Sequence, residues 1–326
     1  MSNQAIVVED LVKTFKGDVK AVQGISFEVE DGEFFAFLGP NGAGKSTTIQ
    51  VLTTLLNPTS GSVTVSGFDV GKDPISIRRE IGVALQETGI DPSLTGRELL
   101  EMQARLFGFS KHDAKNRAQE LLDLIHLAED GDRKVGKYSG GMRRRLDLSL
   151  CLVHRPKILF LDEPTTGLDP YNRNAIWDEI RTLNREFGTT IFLTTQYLEE
   201  ADQLADRISI INKGKIVASG SSQQLKKTVG MDVIDLSFQQ NEDAEKAKEV
   251  LSSWTKDYRL TNGELTLYVD NGAYLLPDMV RKLDKEGIPP ISLNLAPPTL
   301  DDVFLQVTGE HLEEKAVIKQ EGVVSP

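Results

Sequence analysis

The stretch Gly39-Pro40-Asn41-Gly42-Ala43-Gly44-Lys45-Ser46-Thr47 sets glycines, a lysine and hydroxyls at the spacing of a phosphate-binding loop. Glycines let successive backbone N–H groups turn inward around phosphate oxygens, and the helix that follows adds the positive end of its dipole. Lys45 can neutralise β- and γ-phosphate oxygens, and the Ser46 hydroxyl suits Mg2+. The pattern arises by chance in a chain this long about one time in 100. Its context sharpens it, because the apolar strand FFAFL precedes it and the helical run TTIQVLTTLL follows. A second constellation ends the apolar run KILFLDEP, where Asp162 and Glu163 stand side by side at the carboxyl end of an expected strand. Alone they would read as exposed acids leaving a strand. Beside a phosphate-binding loop, Asp162 is expected to orient Mg2+ through its water shell and Glu163 to accept a proton from the water attacking a triphosphate.

The elements that must hold these residues can be read along the chain. The first third alternates β-rich runs with turns (AIVVEDLVKTF, GISFEVE, EFFAFLG, SVTVSGFDV) and predicts sheet with a hairpin. At Thr95 the period changes: Thr95 and Glu98 form a capping-box pattern before LLEMQARLF, RAQELLDLIHL follows, and a helical insert is expected over about 91–135. Helix-strand alternation then resumes through KILFLDEP, NAIWDEIRTLNREF, TTIFLTT and RISIINKG, which predicts a largely parallel α/β sheet covered on both faces.

A change of pattern near the polar run GSSQQ marks a boundary, giving domains 1–224 and 225–310 with a loose polar tail over 311–326. The second domain reads β-α-β-β-α-β, with a hairpin at Thr261-Asn262-Gly263-Glu264, the order of a small ferredoxin-like α+β unit. Leu300, Val303, Phe304 and Val307 lie at helical spacing and are expected to pack it.

Composition excludes several classes. With 326 residues, two domains are the default. No run approaches the roughly 18 apolar residues of a membrane span, and the first residues lack a secretion signal, so a cytoplasmic location is expected. The net charge of -12 opposes docking on a nucleic-acid backbone. Arg143, Arg144 and Arg145 are the one compact basic run; with Asp147 close behind, they read as a solvated helix face or as partners of nearby acids before they read as a nucleic-acid site. Cys151 sits in the apolar run LSLCLV and is expected to be a buried, unreactive thiol; the four histidines have no metal-ligand spacing.

These motifs in this order resemble the nucleotide-binding domain of ABC transporters over residues 5 to about 222. The most specific is Tyr138-Ser139-Gly140-Gly141-Met142, similar to the family signature LSGGQ but differing at two of five positions. The resemblance implies a P-loop ATPase fold made of an antiparallel β subdomain, a parallel-sheet core and a helical insert. It implies ATP and Mg2+ as ligands, and a head-to-tail homodimer in which Ser139, Gly140 and Gly141 bind the γ-phosphate of ATP held by the other copy's loop. By position, Phe15 would stack on adenine, Gln86 would touch Mg2+ and link the nucleotide to a membrane subunit, and Asp169 in Gly167-Leu168-Asp169 would contact the opposite copy's site.

Where the family carries a switch histidine, this sequence has Gln196. An amide can hydrogen-bond the γ-phosphate or the water but cannot become cationic. One reading is a site that binds nucleotide and hydrolyses it poorly; the other keeps Glu163 as base with Gln196 positioning. YSGGMRRRLDLSL, FLTTQYLEEAD and PPTLDDVFLQVTG together resemble the daunorubicin-resistance-type branch of these ATPases over nearly the whole chain. That branch implies an ABC-2-type exporter of drugs or lipids, with a separate membrane permease as partner and the chain peripheral on the inner face of the membrane. Two other readings are a non-transport ABC ATPase and a regulatory nucleotide sensor.

Overall fold

A computed structural model describes residues 4–86, 89–229, 232–255, 257–261 and 263–309. The expected tail over 311–326 lies outside the described residues, as does Asn262 of the expected hairpin. The chain forms two compact units that part between Ser221 and Ser222.

In chain order the first unit runs β1 (Gln4–Phe15), β2 (Val19–Glu30), β3 (Phe34–Leu38), α1 (Lys45–Leu52), β4 (Ser60–Val65), β5 (Phe68–Asp69), α2 (Pro74–Glu80), β6 (Ile81–Ala84), α3 (Gly96–Leu106), α4 (Lys111–Leu124), α5 (Gly140–Cys151), β7 (Ile158–Asp162), α6 (Pro170–Phe187), β8 (Thr190–Thr195), α7 (Leu198–Leu204), β9 (Arg207–Asn212) and β10 (Lys215–Gly220). A six-stranded sheet of order β10-β9-β3-β8-β7-β6 is parallel except at β10, and a four-stranded antiparallel sheet has the order β2-β1-β4-β5. This is the expected P-loop architecture of an antiparallel β subdomain, parallel core and helical insert. The short helices α2 and α7 were not legible from periodicity.

Every residue of β3, β7 and β8 is buried, which is why these strands read as unbroken apolar runs. Their side chains alternate between two cores. Leu159, Leu161, Ile191 and Leu193 pack with the helical insert, α5 and α6. Ile158, Phe160, Phe192, Phe35 and Phe37 pack against β1, β2 and α1. The insert is the hairpin α3–α4; Thr95 and Glu98 form the capping box at its start, and Ser110 caps α4.

The second unit contains α8 (Ser222–Val229), β11 (Asp232–Ser237), α9 (Asn241–Leu251), β12 (Tyr258–Thr261), β13 (Glu264–Val269), α10 (Gly272–Lys285), β14 (Ser292–Ala296) and α11 (Leu300–Thr308). The polar run before it is therefore the start of a helix. Its antiparallel sheet has the order β12-β13-β11-β14. Ile234, Leu236, Leu265 and Leu267 meet α9 and α10 on one face. On the other, the Tyr268 hydroxyl donates to Asp302 of α11 at 2.7 Å, and Leu300, Val303 and Phe304 are buried. No described helix is long and apolar enough to cross a membrane.

Candidate nucleotide site

Parallel strands with ladders in register bring three chain segments out at one sheet edge. Leu38 pairs with Thr195, and Asp162 pairs with Thr194. Gly39 and Gln196 therefore leave adjacent strands at the same level, with Glu163 one residue away on the next strand. Gln86 follows Ala84, whose partner Leu161 lies two residues before Glu163.

The loop after β3 closes tightly. The Gly39 N–H donates to the Thr195 carbonyl at 3.1 Å, and a Cβ on Gly39 would stand 2.3 Å from the Ile211 carbonyl oxygen. Gly44, with φ +107°, would place a Cβ 2.5 Å from the Ala21 carbonyl oxygen. Only glycine satisfies both demands. Lys45, 4% exposed, starts α1 and folds its ammonium back onto the loop, donating to the Gly39 and Pro40 carbonyls at 2.8 and 3.1 Å and pairing with Glu163 Oε1 at 3.0 Å. Gly42 is exposed and Ala43 buried; Asn41 is exposed and Thr47 half-buried.

Ser46 Oγ lies 3.2 Å from Asp162 Oδ1, which also accepts from Thr194 Oγ1 at 2.5 Å. Glu163 carries positive φ, 49°, unusual for a non-glycine residue. Its N–H donates to the Thr194 carbonyl at 3.0 Å, and its Oε2 accepts from Thr166 Oγ1 at 3.4 Å. A left-handed conformation at a side-chain-bearing residue costs about 1–2 kcal/mol and recurs at functional sites. Gln86 is exposed and Gln196 half-buried. Phe15, at the end of β1, is 41% exposed with the Lys13 ammonium 5.4 Å from its ring centroid, so the ring is no part of the core.

The remaining predicted residues form a second cluster. Ser139 caps α5, its hydroxyl accepting from the Met142 N–H at 3.2 Å, with Gly140 and Gly141 in the first turn. A Cβ on Gly141 would stand 2.5 Å from Asn172 Oδ1, and the Asn172 N–H donates to Asp169 Oδ1 at 3.0 Å. Asp169 caps α6, and the Asn172 backbone N–H, helped by the Asn172 amide, holds its carboxyl below the usual range.

The structure divides the basic run between its two expected roles. Arg143 is exposed, but Arg144 is buried, donating through Nε to the Pro164 carbonyl at 2.8 Å and through Nη1 to the Leu85 carbonyl and Asp147 at 3.0 Å each. Helix α5 lies against the sheet edge on this side, so the basic run is not one solvated face. Sequence reasoning also missed Thr194 and Glu200. Glu200 is fully buried on α7, accepting from Thr165 Oγ1 at 2.8 Å and Trp177 Nε1 at 2.9 Å; burial pushes its carboxyl up. It joins the turn after Glu163 to α6 and to the helix after Gln196.

A phosphate-binding loop at the carboxyl edge of a parallel sheet, facing a strand that ends in two acids, with an antiparallel subdomain and a helical insert, defines an ATPase of the ATP-binding-cassette class. Residues 22–166 match the ABC transporter family, and residues 220–308 match the family described as ATP-binding protein DrrA1-3-like, C-terminal domain. The daunorubicin resistance ATP-binding protein DrrA3 of Streptomyces coeruleorubidus is 43% identical, over 95% of this chain and 98% of its own. The doxorubicin resistance ATP-binding protein DrrA of Mycobacterium tuberculosis is 40% identical over 95% and 96%. The Nod factor export ATP-binding protein I of Burkholderia thailandensis is 38% identical over 91% and 95%. Among solved structures, the dimeric post-hydrolysis state of the ATP-binding cassette MJ0796 bound to ADP and Pi superposes with a TM-score of 0.61 at 27% identity, covering 66% of this chain and 98% of that one. The chain belongs to the DrrA-type family of ABC transporter ATP-binding subunits.

Proposed function

We propose that this chain is the ATP-hydrolysing subunit of an ABC-2-type exporter for drugs or lipids, working as a head-to-tail homodimer on a separate membrane permease at the cytoplasmic face. The observation that carries the chemical part is the buried pair Lys45–Glu163 next to Ser46–Asp162. It supports a single pocket in which one cation meets the phosphates, one carboxylate meets the water, and a hydroxyl with a second carboxylate meets a cation.

Ser46 and Asp162 offer hard oxygen donors 3.2 Å apart, a donor set that suits Mg2+, and Gln86 would complete it. Bound there, the ion would supply charge neutralisation across the β- and γ-phosphates. Gly39 to Thr47 would cradle the phosphates and Phe15 would stack on adenine. Glu163 would accept the proton as the water oxygen bonds the γ-phosphorus and the bond to the β,γ-bridging oxygen breaks. Gln196 would orient the water through its amide, while Ser139, Gly140, Gly141 and Asp169 would act on the nucleotide of the other copy. Met102, Leu106 and Phe107, exposed at the end of α3, support the insert as the permease-facing surface.

The test is steady-state Mg2+-dependent ATP turnover of the purified chain against Glu163→Gln, with dimerisation followed by light scattering and permease recovered by pull-down from membranes. Hydrolysis by the wild type, with a variant that binds ATP and accumulates as a dimer, is expected. A wild type that binds ATP yet neither hydrolyses nor pairs, with permease present or absent, would replace this reading with a nucleotide sensor, the outcome that Gln196 favours.

A further inference from the structure

The strand that leads to Gln86 is the outer strand of the six-stranded sheet, and its outward carbonyls would otherwise lack partners. Side chains of α5 and of the turn behind it take all three in order. His154 Nε2 donates to Ile81 O at 2.9 Å, Cys151 Sγ to Val83 O at 3.0 Å, and Arg144 Nη1 to Leu85 O at 3.0 Å. The alternation of strand carbonyls, at residues 81, 83 and 85, thus matches donors climbing one side of a helix toward its N-terminus, where Ser139 sits.

Arg144 differs from the other two donors because its guanidinium also reaches a second strand end. Its Nε donates to the carbonyl of Pro164, the residue after Glu163, at 2.8 Å, and Asp147 one turn along α5 holds its charge. Its Nη2 is buried and has no hydrogen-bond partner among the described residues. A buried cation with an unpaired amino group is a costly way merely to join two carbonyls. Its rigid planar fork does what a lysine cannot, since it fixes the angle between two bonds as well as their lengths.

We propose that Arg144 is a positioning residue for hydrolysis: one guanidinium sets the carbonyl beside Gln86, the carbonyl beside Glu163 and the helix that presents Ser139. The proposal rests on the reading of Glu163, Gln86 and Ser139 given above. It makes the base used in one site and the serine offered to the other site share a single strut.

The experiment compares full-length Arg144→Lys and Arg144→Gln with Cys151→Ala, which removes a neighbouring donor to the same strand but touches neither turn. Both Arg144 variants are expected to fold, to bind ATP within about threefold of wild type, and to lose turnover at saturation by about 100-fold, the scale of a 1 Å misplacement. Lysine should not rescue, and amide exchange over residues 82–86 and 163–168 should quicken together. Cys151→Ala should keep turnover within about twofold. Wild-type turnover in a folded Arg144 variant, unchanged exchange at either turn, or an equal loss in Cys151→Ala would overturn the positioning role while leaving the ATPase reading intact. A wild type with no turnover and no ATP-dependent dimer would overturn that reading, and this role with it.

Discussion

Lys45 Nζ and Glu163 Oε1 lie 3.0 Å apart, both side chains buried, so the cation of the phosphate-binding loop and the carboxylate proposed as base form one ion pair. If Lys45 binds phosphate as proposed, a triphosphate entering the loop would compete with Glu163 for the same ammonium. On the proposed reading, the carboxylate would be released toward water when phosphate oxygens take its place, which would tie activation of the base to occupancy of the loop.

Glu163→Gln should therefore do two things of opposite sign. Turnover should fall by at least about 100-fold with the base removed. Affinity for ATP should rise several-fold, because the neutral amide no longer competes for Lys45. Titration of the purified variant with a fluorescent ATP analogue checks the second effect. Unchanged or weaker binding would mean that the ion pair does not restrain the lysine.

Gln196 leaves β8 one residue after Thr195, beside the ends of β3 and β7. If its amide orients the attacking water, Gln196→Ala should lower turnover about 100-fold with little change in the ATP concentration at half-saturation. Gln196→His should retain turnover within about tenfold of wild type. It should also introduce an acid limb near the ordinary histidine range, since imidazole titrates there and an amide does not. A pH–rate profile of the three proteins decides it: an alanine variant equal to wild type removes Gln196 from the mechanism.

The parts of the site that could be read from sequence are those whose neighbours in space are neighbours in the chain. The loop from Gly39 to Thr47 and the pair Asp162-Glu163 each lie within one strand-to-loop step, and the flanking apolar runs announce the strands. Arg144, Thr194 and Glu200 act across 59, 32 and 35 residues, on Leu85, Asp162 and Thr165 respectively. Local spacing carries no trace of such contacts. In the basic run, Asp147 as a partner three residues from Arg144 was legible, but nothing nearby in sequence reveals that the outer strand's carbonyls face α5. Helices α2 and α7, at seven residues each, are too short to display a 3.6-residue period.

Glu179 gives a prediction about stability that is independent of nucleotide. It lines a groove of about 660 Å3 between α4, α5 and α6, its Oε2 has no partner among the described residues, and Arg145 Nε stands 3.8 Å from Oε1. Burial pushes its carboxyl up to about 7, with Arg145 opposing only in part. A carboxyl raised in the folded protein contributes stability that is complete below the unfolded value near 4.5 and is lost as pH rises through about 7. Asp147, pushed up to about 6, acts in the same direction between about pH 4 and 6, so the wild-type curve alone does not isolate Glu179. The difference from Glu179→Gln does. The variant keeps the shape without the charge, and Arg145 retains its bond to the Ile125 carbonyl at 3.2 Å. Denaturant unfolding at pH 5 and pH 8 should show wild type losing up to roughly 3 kcal/mol relative to the variant over that interval. Parallel curves would show that the groove hydrates Glu179 well enough to leave it ionised at neutral pH.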